Sequence, residues 1–262
     1  MSLNNAECVK VDIADGVMVI TIDRPEVRNA IDWKTAHEVA QALDLLDEDT
    51  SVRVGILTGT GPCFSAGMDL KAFASTGRRP EVEGRGLAGL TRVSPRKPLI
   101  AAVEGFAVGG GFELVLACDM VVAASDAYFA LPEAKRGLFA GSGGLLRLPH
   151  RVPPPIAMEL ALTARPFSAH EAHQWGLLNR ICDPGTALKI AQELARDIAL
   201  NAPLSIEYGK YLLTHTASLP LAVGMEEQDR LLEQIVETDD AREGALAFVE
   251  KRAPQWGRSD QR

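Results

Sequence analysis

A chain of 262 residues can bury a substantial core, as one large domain or as a domain with an appendage. Its net charge of −8 and aromatic share of 5% argue against a nucleic-acid surface, which needs clustered Lys and Arg and aromatic stacking platforms. No apolar run approaches a membrane span, and the first residues, MSLNNAECVKVDIADG, lack the basic and apolar regions of a signal peptide. Cys8, Cys63, Cys118 and Cys182 form no CxxC pair and read as free thiols in a reducing compartment, so a cytoplasmic location and no membrane partner are expected.

In chain order, residues 9–13 and 17–23 alternate with period two around Asp15-Gly16, which predicts a β-hairpin. Ala36, Val39, Ala40, Leu43 and Leu46 recur at helical spacing behind Asp32, a good N-cap. Short apolar strands are predicted at 52–58, 99–103 and 120–123, and their alternation with helices points to an α/β core with parallel pairing. Composition shifts at Pro153-Pro154-Pro155. Beyond about Ser168 the pattern is mostly helical, over 169–175, 187–200, 204–214, 222–237 and 241–251, with a brief strand at 179–182. Residues 1–200 are therefore expected to form the core, and 201–262 a helical region that covers it or joins subunits.

Gly109-Gly110-Gly111 follows a predicted strand and opens a helix, where unpaired N–H groups and partial positive charge favour an anion. A tight turn with close helix packing is the commoner reason for a lone glycine run. The loop GPCFSAGMD, 61–69, also follows a strand and can expose the Met68 N–H between Ala66 and Asp69; two amides aimed at one point make an oxyanion hole. Glu113 and Glu133 stand beside apolar sequence, which suits either acid–base work or helix capping. Gly141-Ser142-Gly143-Gly144 offers further amides or a turn. GxGxxG, GxxxxGK, GxSxG and HExxH are absent, and His170 and His173 read as a solvated helix face, so no metal is expected.

The strings FSAGMDLKAF, KPLIAAVEGFAVGGGFELVLACD and FALPEAKRGLFAGSGG, with RPEVRNAID early and FVEKRAPQW late, resemble the enoyl-CoA hydratase/isomerase (crotonase) superfamily nearly end to end. The resemblance implies an α/β fold, a crotonase-like spiral of ββα units with a C-terminal helical trimerisation region. It implies a homotrimer or homohexamer acting on an acyl-CoA thioester, with no cofactor besides the CoA of the substrate. By motif, Glu113 and Glu133 match the catalytic pair, Met68 and Gly110 the oxyanion-hole amides, and Gly141 the water-positioning glycine. Arg28, Ala66, Asp69, Phe248 and Lys251 match substrate-binding positions, the last two reaching a neighbouring subunit's CoA. Arg24, Arg28 and Lys251 are candidate phosphate partners.

Both glutamates favour hydration of a 2-enoyl-CoA over isomerisation, which can use one carboxylate. SAG-x-DLKA, GGGFEL, FALPEAK and SGG-x-LRLP are similar to carnitinyl-CoA dehydratases, implying a polar or unusual acyl group. A catalytically silent binding protein on the same scaffold is the alternative of another class. Two departures stand out. Ala140 replaces a common proline, and Glu104 replaces the usual asparagine of AAVNG.

Overall fold

The computed structural model describes residues 7–257; the first six, on which part of the N-terminal reading rests, lie outside them. The chain opens with the expected hairpin, β1 (Val9–Ala14) and β2 (Val17–Ile22), and α1 (Trp33–Glu48). Asp32 caps α1 by accepting the Thr35 N–H at 2.8 Å. Next come β3 (Val54–Gly59), α2 (Leu70–Thr76), the short pair β4 (Glu81–Val82) and β5 (Gly86–Leu87), and β6 (Leu99–Val103). Strands β7 (Phe106–Val108), β8 (Met120–Ala124) and β9 (Tyr128–Ala130) surround α3 (Gly110–Ala117). Then follow α4 (Gly144–Arg147), α5 (Pro154–Thr163), β10 (Phe167–Ser168), α6 (Ala169–Gln174) and β11 (Arg180–Cys182). Four helices end the chain: α7 (Ala187–Ala199), α8 (Pro203–His215), α9 (Leu221–Val236) and α10 (Asp239–Glu250).

The main sheet has the order β1-β2-β3-β6-β8-β11; only the β1–β2 pair is antiparallel. A second sheet, β10-β9-β7, takes the strand that follows each of β6 and β8. The chain thus winds repeatedly from one sheet to the other before returning by a helix, the spiral of ββα units. These second-sheet strands are too short for period two to show, and the glycines flanking β7 hide it further. The run at 153–155 marks no break: proline suits a first helical turn, and α5 sends Ala157 and Leu160 into the main core.

Alternation of side chains across the main sheet builds two cores. Val17, Val19, Val54, Ile56, Ile100, Ala102 and Val122 face Ala191 and Ala195 of α7. Met18, Ile20, Ile22, Leu57, Leu99, Ala101 and Val103 face the larger core, which includes α1 and α3. The C-terminal helices contrast with both. Leu231 is buried on α9 and Ala247 on α10, whereas Leu213, Leu221, Phe248 and Val249 are largely exposed.

Glu104, the departure in AAVEG, has a clear role. It sits between β6 and β7 and accepts the N–H groups of Gly185 at 2.9 Å and Ala187 at 2.8 Å, capping α7 from a distant part of the chain. A carboxylate there satisfies orphan amides and meets the positive end of the helix dipole. Glu104→Ala is expected to cost about 1 kcal/mol, lowering Tm by roughly 2–4 °C. Thermal unfolding checks this, and an unchanged Tm would remove the capping role.

Candidate active site

The site begins with a two-strand contact made by the RPEVRNAID and FSAGMD segments. The Ala66 N–H donates to the Arg28 carbonyl at 3.0 Å, the Ile31 N–H to the Gly67 carbonyl at 2.8 Å, and the Asp69 N–H to the Ile31 carbonyl at 2.9 Å. Ile31 and Met68 form a parallel bridge, in which the residues flanking Met68 make the bonds and its own N–H faces the other way. On that side lies Gly110, the first residue of α3, whose N–H has no earlier carbonyl within the helix. The two backbones nearly touch. A Cβ on Gly67, where φ is +84°, would lie 2.8 Å from the Gly110 nitrogen, and a Cβ on Gly110 would lie 3.6 Å from the Met68 nitrogen. Neither the Met68 nor the Gly110 N–H donates to another group among the described residues.

The glycines either side of Gly110 serve packing. Gly111 lies against Ser65, whose carbonyl would be 2.4 Å from a Cβ there. Gly109 has φ +55°, and its missing Cβ leaves room for Glu133, whose Oε1 would lie only 3.1 Å away. Glu133 stands on the single 3₁₀ turn Pro132–Arg136 that follows β9. Glu113, in the first turn of α3, is 3% exposed. Its Oε1 accepts the N–H groups of Ser142 at 2.7 Å and Gly144 at 2.9 Å. Two of the GSGG amides therefore go to this carboxylate.

The two carboxyls are unequally supported. Burial pushes Glu113 above the usual carboxylate range, opposed by the Gly144 and Ser142 amides and by the charge of Arg147. Burial also pushes Glu133 up, opposed by its own backbone N–H and by Arg136, and Glu113's charge adds to the push. Glu133 Oε2 is buried with no hydrogen-bond partner. Burial thus raises both carboxyls, and they differ in their partners: Glu113 accepts two backbone amides, whereas Glu133 keeps a buried oxygen without one.

A sequence model of the enoyl-CoA hydratase/isomerase family matches residues 12–259. The chain belongs to this family. It is an enzyme of the hydratase type, a hydro-lyase. Among its relatives, the carnitinyl-CoA dehydratase of Proteus mirabilis is 43% identical over 92% of this chain and 94% of its own length. An enoyl-CoA hydratase structure from Mycobacterium marinum is 49% identical, with TM-score 0.92 over 95% of this chain and 98% of that one. A carnitinyl-CoA hydratase structure from Mycobacterium avium is 39% identical, with TM-score 0.76 over 95% and 98%.

In this family member the expected site residues fall into two groups. Glu113, Glu133, Met68 and Gly110 converge around the start of α3, and Gly141 is exposed one residue before the Ser142 amide that holds Glu113. Arg28 is exposed and Ala66 half-buried, joined through the Arg28 carbonyl. Asp69 caps α2 through the Lys71 and Ala72 N–H groups and pairs with Arg24 at 3.1 Å. Arg24 also reaches Asp32 and the Ala30 carbonyl, so this cation braces the loop rather than standing free for a phosphate. Phe248, 86% exposed, and Lys251 lie at the end of α10, which packs on α9; neither joins the contacts around Glu113. Among the described residues no group of three or more His, Cys, Asp or Glu is placed to hold a metal ion, and no helix is long and apolar enough to cross a membrane. His170 and His173 are exposed on α6. Sequence reasoning missed Asn29 and Arg147. The signal for Asn29 was available, since asparagine is among the non-glycine residues that most readily take left-handed backbone after a turn.

The unpartnered Glu133 oxygen has a consequence for stability. A carboxyl whose folded pKa is raised contributes fully below the unfolded value, about 4.3, and less as pH rises through the folded one. Glu133→Gln is therefore expected to unfold at a higher temperature than the unsubstituted protein at neutral and alkaline pH. The two should converge near pH 4. Thermal unfolding across pH measures this; a gain that grows toward low pH would contradict the raised pKa.

Proposed function

We propose that this hydro-lyase adds water reversibly across the C2–C3 double bond of a 2-enoyl-CoA, with Glu113 and Glu133 as catalytic residues and the Met68 and Gly110 N–H groups as the oxyanion hole. The observation that carries the reading is the pair of adjacent, unpartnered amides with two unequally supported carboxyls beside them. The thioester oxygen accepts both amide N–H groups. Glu113, as the anion, removes a proton from water while the water oxygen bonds to C3. The C2–C3 π electrons move toward C2 and the carbonyl, and the resulting enolate oxygen is stabilised by the two amides at the start of α3. Glu133 delivers its proton to C2. Proton exchange between the carboxyls restores the starting state, and the reverse sequence expels water. Gly141 lies beside the water, and Arg28, Ala66, Asp69, Phe248 and Lys251 shape the CoA path, with Asp69 acting through the loop it caps.

The carnitinyl-CoA dehydratase relatives support a polar acyl group as the specialised substrate. The exposed apolar side chains of α8–α10 and Phe139, Leu146 and Leu162 support assembly into a homotrimer or homohexamer, which brings Phe248 and Lys251 to a neighbour's site. The enzyme works in the cytoplasm with no cofactor beyond the CoA of its substrate.

The test follows enoyl-thioester absorbance, with loss on crotonyl-CoA and appearance on carnitinyl-CoA. The protein is expected to act on at least one, and Glu113→Gln and Glu133→Gln each to lower kcat by about 10²–10⁴. Inactivity on both, or full activity after either substitution, would overturn the assignment. Light scattering is expected to give a mass three or six times that of the 28.1 kDa chain; a monomer would remove the shared-site reading.

A further inference from the structure

Asn29 is a polar side chain near the site with three hydrogen bonds, and hydration chemistry as described makes no use of it. It is completely buried and holds left-handed backbone, φ +54°. Its Oδ1 accepts the Arg24 N–H at 3.0 Å. Its Nδ2 donates to the carbonyls of Thr60 at 2.9 Å and Cys63 at 2.8 Å, both on the loop that leads to Met68. These partners fix the amide's orientation, because an N–H donor faces one end and two carbonyl acceptors face the other. The side chain also lies close against Gly59, whose Cβ would be 2.6 Å from Nδ2.

Its backbone continues the chain of contacts. The Ser65 hydroxyl donates to the Asn29 carbonyl at 2.7 Å and accepts the Gly67 N–H at 3.1 Å. The Ser65 carbonyl accepts the Val108 N–H at 3.1 Å, two residues before Gly110. Ser65, itself fully buried, thus touches the strand leading to each oxyanion donor, and Asn29 holds Ser65.

We infer that Asn29 is the positioning residue that sets the Met68 N–H against the Gly110 N–H, its side-chain amide holding the Thr60–Cys63 loop and its carbonyl holding Ser65; this rests on the proposed oxyanion hole. Aspartate would turn a carboxylate oxygen toward the Thr60 and Cys63 carbonyls, and alanine would strain the left-handed backbone. Glycine accepts that backbone and removes only the side chain's bonds, so Asn29→Gly isolates them. Ser65→Ala removes the hydroxyl link while leaving Asn29 in place.

The probe is a push–pull aromatic enoyl-CoA, whose absorption moves to longer wavelength as its carbonyl is polarised. With the unsubstituted protein the bound probe is expected to show this red shift. In Asn29→Gly the shift per bound probe is expected to shrink and kcat to fall roughly 10- to 100-fold, less than or comparable to loss of a whole oxyanion donor, while KM stays within a few-fold. Ser65→Ala is expected to change in the same direction by less. A purely structural role would lower Tm and the active fraction and leave the shift of each bound probe unchanged. A full shift in both variants overturns the inference about Asn29. No shift in the unsubstituted protein overturns the oxyanion hole itself. Should Asn29→Gly fail to fold, Ser65→Ala decides, and an unchanged shift there overturns the inference.

Discussion

The close approach of two main chains, at Gly67 and Gly110, is the constraint on which the site depends. A side chain at Gly67 would meet the Gly110 nitrogen, so the two loops can share one point in space only as bare backbone. Everything around this contact serves to hold it. Residues 28–31 pair with 66–69 on one side, Ser65 bridges to Ala107 on the other, and α3 begins where its first amide has nowhere within the helix to donate. The helix N-terminus then contributes its partial positive charge at the same place.

The second organising fact is the asymmetry of the two carboxyls. Glu113 and Glu133 are the same residue type in one low-dielectric region, yet one is gripped by two amides through a single oxygen and the other keeps an oxygen without a partner. The glycine-rich turn that leads into α4 supplies those amides, so its conformation sets how differently the two carboxyls are held. Arg147, on α4, adds its charge beside Glu113 and reaches back to the Thr91 carbonyl at 2.7 Å, joining this corner to the segment beneath α1.

Much of this was legible before any coordinates. The hairpin, α1 with its Asp32 cap, the parallel strands and the C-terminal helices follow from periods long enough to register, and their ends agree within about two residues. The second sheet did not register, because β7 and β9 are three residues each and glycine flanks β7. Helix α2 was given no reading, because it is seven residues long and buries none of them to mark a period. Long-range polar pairing was the blind spot. Composition cannot tell that Arg24 braces Asp69, that Glu104 caps α7, or that Asn29 spans two segments, since each bond joins residues far apart in the chain. The family resemblance located Glu113, Glu133, Met68 and Gly110 as candidates, and the fold accounts for their adjacency.

Because the amides at Met68 and Gly110 belong to the main chain, most mutations cannot delete them. Heritable change reaches them chiefly through the few positions that set the backbone path, such as Gly67, Gly109 and the segment at 28–31. Surface residues such as Asp12 and Asp126 face no such restriction. A lineage carrying this fold can therefore exchange its outer contacts freely while inheriting the same close approach of main-chain amides. That separation of a fixed main-chain device from freely varying side chains makes the architecture readily diversified.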